Sequence, residues 1–274
     1  MIVYKNEITS AYCCGYPVTR IVACGETVWE KQEPTPPTPP TGYKVMFVEN
    51  GVTKTIPCNS SSKLDWLEFL GAVTDTSAVT SAVIGECVDE LGEMLFNDAY
   101  HNISSVTIPN TVTIIGRECF ANCDSLSALT IPSGVTEIRD HIFTGCYMLS
   151  SVNIPSGVTS IGKNAYYDCL SLMNITIPSA VTSIDDEAFR CANWIDGQSD
   201  YQHMMHQKML NVASNRVVRC LATTPPTLGS AAFSIITGEG DIATYPIYVP
   251  AESLQAYKTA PNWSYIANRI FPIT

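Results

Sequence analysis

Charged side chains are scarce in this 274-residue chain, at 15% of residues, and they lean acidic: 26 Asp and Glu against 15 Lys and Arg, a net charge of −11. No run of Lys and Arg exists to neutralise phosphates, which excludes a nucleic-acid groove. Acidic membrane surfaces are disfavoured for the same reason. No stretch approaches about 18 consecutive apolar residues, so no membrane insertion is expected. The start, MIVYKNEITSAYCC, has no basic segment followed by a long apolar run and does not read as a signal peptide. There is no P-loop, no dinucleotide fingerprint and no Ser/His/Asp order. No C-x-x-C pair occurs, and Cys13 and Cys14 are adjacent, which argues against zinc. The chain therefore reads as a non-enzyme, with no catalytic residues, metal or cofactor expected.

What the chain does have is apolar content, 46%, and eleven cysteines. With so few charges, its surface must be covered by Ser, Thr, Asn and Gly. A fixed period organises these residues. Pro109, Pro132, Pro155 and Pro178 fall every 23 residues, as do Phe120, Phe143, Tyr166 and Phe189. Cys123, Cys146 and Cys169 keep the same register, as do Ile115, Ile138, Ile161 and Ile184, and Leu126, Leu149 and Leu172. Three full units read TVTIIGRECFANCDSLSALTIPS, GVTEIRDHIFTGCYMLSSVNIPS and GVTSIGKNAYYDCLSLMNITIPS. A looser unit precedes them from about Val88, and a further copy begins at Ala180 and loses the pattern after Cys191.

One unit buries about seven apolar side chains, on the order of 10–20 kcal/mol. Ordering its backbone costs about 1–2 kcal/mol per residue, which exceeds that gain. Units must therefore stack. Within a unit, Leu129 and Ile131 alternate with Ala128 and Thr130, which puts the first pair inside a short strand and the second outside. The proline ends the strand. The following I-x-x-x-x-F-x-x-C stretch covers the opposite side as a short helix or a second short strand.

These motifs resemble the BspA-like (Treponema-type) leucine-rich repeats of bacterial surface proteins, over about residues 88–191. ATTPPTLGSAAF and YPIYVPAESLQAYKTAPNWSYIANRIFPI resemble the segment that closes the solenoid in that family. The resemblance implies an α/β leucine-rich-repeat solenoid, β-rich, with stacked short parallel strands. Residues 192–274 are read as an insertion, about 192–215, followed by the C-terminal cap.

The remaining chain divides at QEPTPPTPPTG, a Pro/Thr linker over 33–42 that favours extended polyproline II. Before it, residues 1–32 form a small all-β module from the strand-like segments ITSAY, TRIVAC and TVWE. Its CGETVWE end resembles short β modules of phage virion structural proteins. After it, YKVMFV and VTKTIP flank Asn50-Gly51 as a hairpin. SKLDWLEFLGA over 62–72 reads as a helix with Ser62 as N-cap, and 43–87 reads as the N-terminal cap.

Candidate chemistry is sparse. Stacked strands would bring Cys123, Cys146 and Cys169 within disulfide range, but their parallel Cβ vectors favour a buried column of free thiols. His203 and His206 with Asp200 form a partial metal set without a third ligand at suitable spacing. His101 and His141 read as surface residues. Asp185, Asp186 and Glu187 lack the alternation and glycine of a calcium loop. The outward strand positions are the candidate binding face: Thr107, Thr130, Asn153 and Thr176 in one column, Ser105, Ala128, Ser151 and Asn174 beside it. Tyr147, Met148 and Tyr167 flank the coils as further contacts.

The expected function is that of a phage virion component projecting its repeat domain for decoration or host attachment. Residues 1–32 would bind other virion proteins, and the repeats would bind a surface protein or glycan. A homo-oligomer is compatible with the symmetry of virion fibres. The alternative is a bacterial cell-surface adhesin.

Overall fold

The fold is taken from a computed structural model, which describes residues 12–13, 16–17, 20–23, 26–30, 42–97, 101–191, 212, 215–236 and 242–274. The chain forms two units, Met1–Thr38 and Pro39–Thr274. In the first, Tyr12–Cys13 pairs antiparallel with Tyr16–Pro17, and Arg20–Ala23 with Glu26–Glu30. The Pro/Thr linker and most of the expected insertion lie outside the described residues.

The second unit opens with a hairpin, β1 (Tyr43–Glu49) and β2 (Val52–Pro57). Asn50 and Gly51 both have positive φ, 51° and 73°, the geometry that lets a two-residue turn follow the strands' twist. Helix α1 (Trp66–Ala72) starts later than the Ser62 reading. Its N-cap is Asp65, whose carboxylate accepts from Glu68 N–H at 2.9 Å. Residues Lys63–Leu64 are unavailable to the helix because they pair in parallel with Glu90–Leu91.

Strand β3 (Val79–Ile84) joins the hairpin to the stack: it is antiparallel to β1 and parallel to β4 (Ser105–Thr107). β5 (Ala128–Leu129) and β6 (Ser151–Val152) pair with each other. β7 (Asn174–Ile177), β8 (Val217–Cys220), β9 (Ile247–Val249) and β10 (Ile270–Pro272) form a parallel sheet in that order, with α2 (Leu254–Thr259) between the last two in sequence. After each repeat proline the chain turns at once. The carbonyls of Pro109, Pro132, Pro155 and Pro178 accept from the valine N–H three residues on, at 3.0–3.2 Å.

The side following that turn is a second short strand and then turns, with no helix. Glu137–Ile138, Ser160–Ile161, Ser183–Ile184 and Thr227–Leu228 stack in parallel. Beyond them, a non-glycine residue at one repeating place in each coil adopts left-handed backbone: Met94, Glu118, His141, Asn164, Glu187 and Ala231, all with φ of 53–57°, with Asn122 and Asp168 doing so a few residues later in two coils. Each such residue costs about 1–2 kcal/mol. Between coils, ladder hydrogen bonds such as Glu118 N–H to Asp140 C=O, 3.2 Å, hold it in place.

The core is a column of rings. Phe96, Phe120, Phe143, Tyr166, Phe189 and Phe233 stack in succession with centroids 5.1–5.6 Å apart. Phe47 and Phe69 continue it edge-on at one end, and Trp263 closes it at the other. Stacking thus extends beyond 88–191 in both directions.

The cysteine column is buried and its thiols are free. Cys123, Cys146 and Cys169 each donate to the carbonyl of the ring residue one coil back, at 3.0–3.2 Å. A disulfide does occur elsewhere, between Cys58 and Cys87, with Cα atoms 6.4 Å apart. It lies outside the column of Cys123, Cys146 and Cys169. The two cysteines hold no repeat register; the ends of β2 and β3 flank the start of β1 on either side, and this brings the cysteines together.

Candidate functional site

Alternation along the stacked strands sets one row of side chains inward and one outward. Val106, Leu129, Ile175 and Val218 are buried, while Ser105, Thr107, Ala128, Thr130, Ser151, Asn153, Asn174 and Thr176 are all exposed. Thr107, Thr130 and Ser151 come together around one hollow of about 380 Å³, with Val106 and Leu129 in its walls. It lies where the ladder is interrupted between β4 and β5. Asn153 is used within the fold. Its Oδ1 accepts from Ile131 N–H at 2.7 Å and its Nδ2 donates to Ile131 C=O at 2.9 Å. The side-chain amide so prolongs the β5–β6 ladder by one step.

Tyr147 and Tyr167 belong to the turn segments and lie outside this strip. Tyr147 packs against the core. Tyr167 is half-buried, and burial pushes its phenol up to about 12.

Three residues that the periodicity did not reveal extend the strip. In register, Thr176 lies opposite Arg219, Arg219 opposite Tyr248, and Tyr248 opposite Phe271. Arg219 is exposed, Phe271 is 41% exposed, and the Tyr248 and Phe271 rings are 5.9 Å apart. Their signal was present as strand alternation in VVRC and IYV. The 23-residue register breaks after Cys191, so the column could not be counted across the break.

Other candidate groups are occupied by the fold. Asp186 Oδ1 accepts from Ser230 N–H and Oγ–H at 2.7 and 3.0 Å, and Glu187 pairs with Arg190. His101 meets Asp124 at 3.1 Å near the surface, and His141 is one of the left-handed residues. Burial pushes the thiols of Cys146, Cys169 and Cys191 up, which removes them as thiolate nucleophiles at neutral pH. Among the described residues no group of three His, Cys, Asp or Glu side chains could hold a metal ion. The set Asp200, His203 and His206 lies outside the described residues.

Residues 74–196 match the family model of the BspA type leucine rich repeat region, in six copies. No curated protein matches the chain. Solved structures similar in fold include a leucine-rich repeat protein from Bacteroides ovatus (16% identity, TM-score 0.38, 74% of this chain and 61% of that one). Another is a leucine rich cell surface protein from Faecalibacterium prausnitzii (19% identity, TM-score 0.40, 74% and 62%). A third, from Eubacterium ventriosum, is 20% identical with TM-score 0.28 and covers 53% and 49%. The chain spans less than two thirds of the length of each. The repeated part of this chain, residues 74–196, is a BspA type leucine-rich repeat region.

Proposed function

We propose that this is a non-enzymatic binding protein that engages a partner protein through the outward face of β4–β10. The observation that carries this reading is the row Thr176, Arg219, Tyr248 and Phe271 in consecutive register. Aromatic and arginine side chains supply most of the energy at protein interfaces, and the Ser/Thr strip beside them supplies a polar rim. Arg219 stands among uncharged neighbours, which favours a partner with a carboxylate opposite it.

The setting we propose is a bacterial cell surface. The Cys58–Cys87 disulfide supports it, because such bridges persist in oxidising compartments. The virion reading is favoured by a different observation, the CGETVWE segment at the end of the N-terminal module, which would then join other virion proteins.

Two experiments test these readings. Arrayed extracellular proteins and glycans, probed with the purified chain, should yield protein ligands. Binding to glycans alone, or to neither array, would contradict the proposal. Antibody labelling of intact producing cells and of purified particles separates the two settings. Label confined to particles overturns the cell-surface reading.

A further inference from the structure

We infer that the last coil carries a second binding site, which takes an acidic peptide segment of a partner protein. Along the turn column, successive coils donate three N–H groups, at alternate residues, to carbonyls of the next coil, the third being Asn122 to Thr144, Gly145 to Tyr167 and Cys191 to Ser234 at 2.7, 2.8 and 3.0 Å. Glu118 and Phe120 donate to Asp140 and Ile142 at 3.2 and 3.0 Å. His141 and Phe143 donate to Lys163 and Ala165 at 2.8 and 2.9 Å, and Glu187 and Phe189 to Ser230 and Ala232 at 2.9 and 2.8 Å. Ala231 and Phe233 hold the first two of the next three places, and Ala231 has the same left-handed backbone as its counterparts; the third, Ile235, lies in a short strand that pairs with Ala243. Among the described residues, neither the Ala231 nor the Phe233 N–H group meets an acceptor.

The cap covers only the opposite polarity of this coil. Asn262 Nδ2 donates to the carbonyl of Leu228 at 2.5 Å, and Trp263 Nε1 donates to that of Pro226 at 2.8 Å. The cap thus meets two carbonyls of the coil, and the N–H groups of Ala231 and Phe233 are left.

Ala231 and Phe233 line a cavity of about 510 Å³, with Asn262, Tyr265, Ile266 and Arg269 among its other walls. That volume lies within the range of about 300–1,000 Å³ typical of built ligand sites. Arg269 is the one charged residue among the described lining, in a chain of net charge −11. Tyr265 is 86% exposed, an aromatic surface with no fold contact to account for most of its area. Two donors at alternate-residue spacing fit alternate carbonyls of an extended bound backbone, as when a peptide adds to a sheet edge. The guanidinium selects an acidic side chain on that backbone. This site does not depend on the outward face of β4–β10.

The test uses the isotope-labelled full chain and the capped peptide Asp-Ala-Asp-Ala, followed by amide NMR and hydrogen exchange. The amides of Ala231 and Phe233 should move on titration, and their exchange should slow by about tenfold or more. Arg269→Glu should weaken the peptide by about tenfold or more, and the capped peptide Asn-Ala-Asn-Ala should bind correspondingly less well. Four outcomes would overturn the inference. They are no movement of the two amides, reproduction of the shifts by sodium acetate alone, exchange in the free chain as slow as that of Phe189, and shifts that follow protein concentration without peptide, which would assign the edge to a second copy.

Discussion

Arg216 is enclosed, and no carboxylate among the described residues meets it. Its guanidinium instead donates to the carbonyls of Leu172, Cys169 and Phe189 at 2.7, 2.5 and 3.3 Å and lies 5.1 Å from the centre of the Tyr245 ring. One side chain thus serves carbonyls from two coils just past the point where the 23-residue register is lost. Arg216→Met leaves those acceptors buried and should cost about 3 kcal/mol or more in denaturant unfolding. Tyr166 is the converse case. It holds a phenylalanine place in the ring column, and its buried hydroxyl has no hydrogen-bond partner among the described residues. Tyr166→Phe should stabilise the protein by about 1 kcal/mol, read as a raised unfolding midpoint with unchanged slope.

Glu49 sets an acid limit. Lys54, then the Thr74 hydroxyl, and the backbone N–H groups of Asp75 and Thr74 hold its carboxyl down at about 2 from an ordinary 4.5, against the opposing effect of burial. Because the folded value is depressed, the stabilisation is complete above about pH 4.5 and disappears as the pH falls from there towards 2. Stability measured against pH should drop across that window, and Glu49→Gln should flatten the drop.

At the scale of elements, the sequence made the repeats legible because each coil reuses the same places. Proline ends the strand, the ring residue stacks on its neighbour, and the thiol bonds one coil back. Those contacts are local in sequence or one period away, so counting finds them. The hairpin was legible from Asn50-Gly51 for a similar reason. Other features depend on partners at irregular distances. Helix α1 begins at Trp66 because Lys63–Leu64 is claimed by the strand at Glu90–Leu91. The Cys58–Cys87 bridge joins two elements 29 residues apart with no period to announce it. Cys58→Ser with Cys87→Ser should lower stability by about 2–4 kcal/mol. Peptide mapping with a thiol label under denaturing, non-reducing conditions should mark Cys119, Cys123, Cys146, Cys169, Cys191 and Cys220 but neither Cys58 nor Cys87.

For the stacked unit as a whole, the candidate face was half legible. Thr107, Thr130 and Ser151 were found by alternation within the repeats, and they share one hollow. Asn153, on the same face, also staples the ladder, because an amide side chain can mimic the backbone groups it meets. Arg219, Tyr248 and Phe271 were missed because the 23-residue register is lost after Cys191 while the parallel pairing of β7 to β10 carries the face onward. The strip that could be counted is small and polar. The part beyond the break holds the residue types with the most to contribute to an interface.

The proposed binding face for a partner protein is the continued row of Thr176, Arg219, Tyr248 and Phe271. The most direct measurement compares the affinity of the unaltered chain for its arrayed protein ligand with that of Arg219→Glu/Tyr248→Ala/Phe271→Ala, using Lys163→Ala in the turn segments as control. Loss of about a hundredfold or more with the triple variant, and no change with the control, is the predicted result. Equal affinity of the triple variant and the unaltered chain, with both folded, would contradict it.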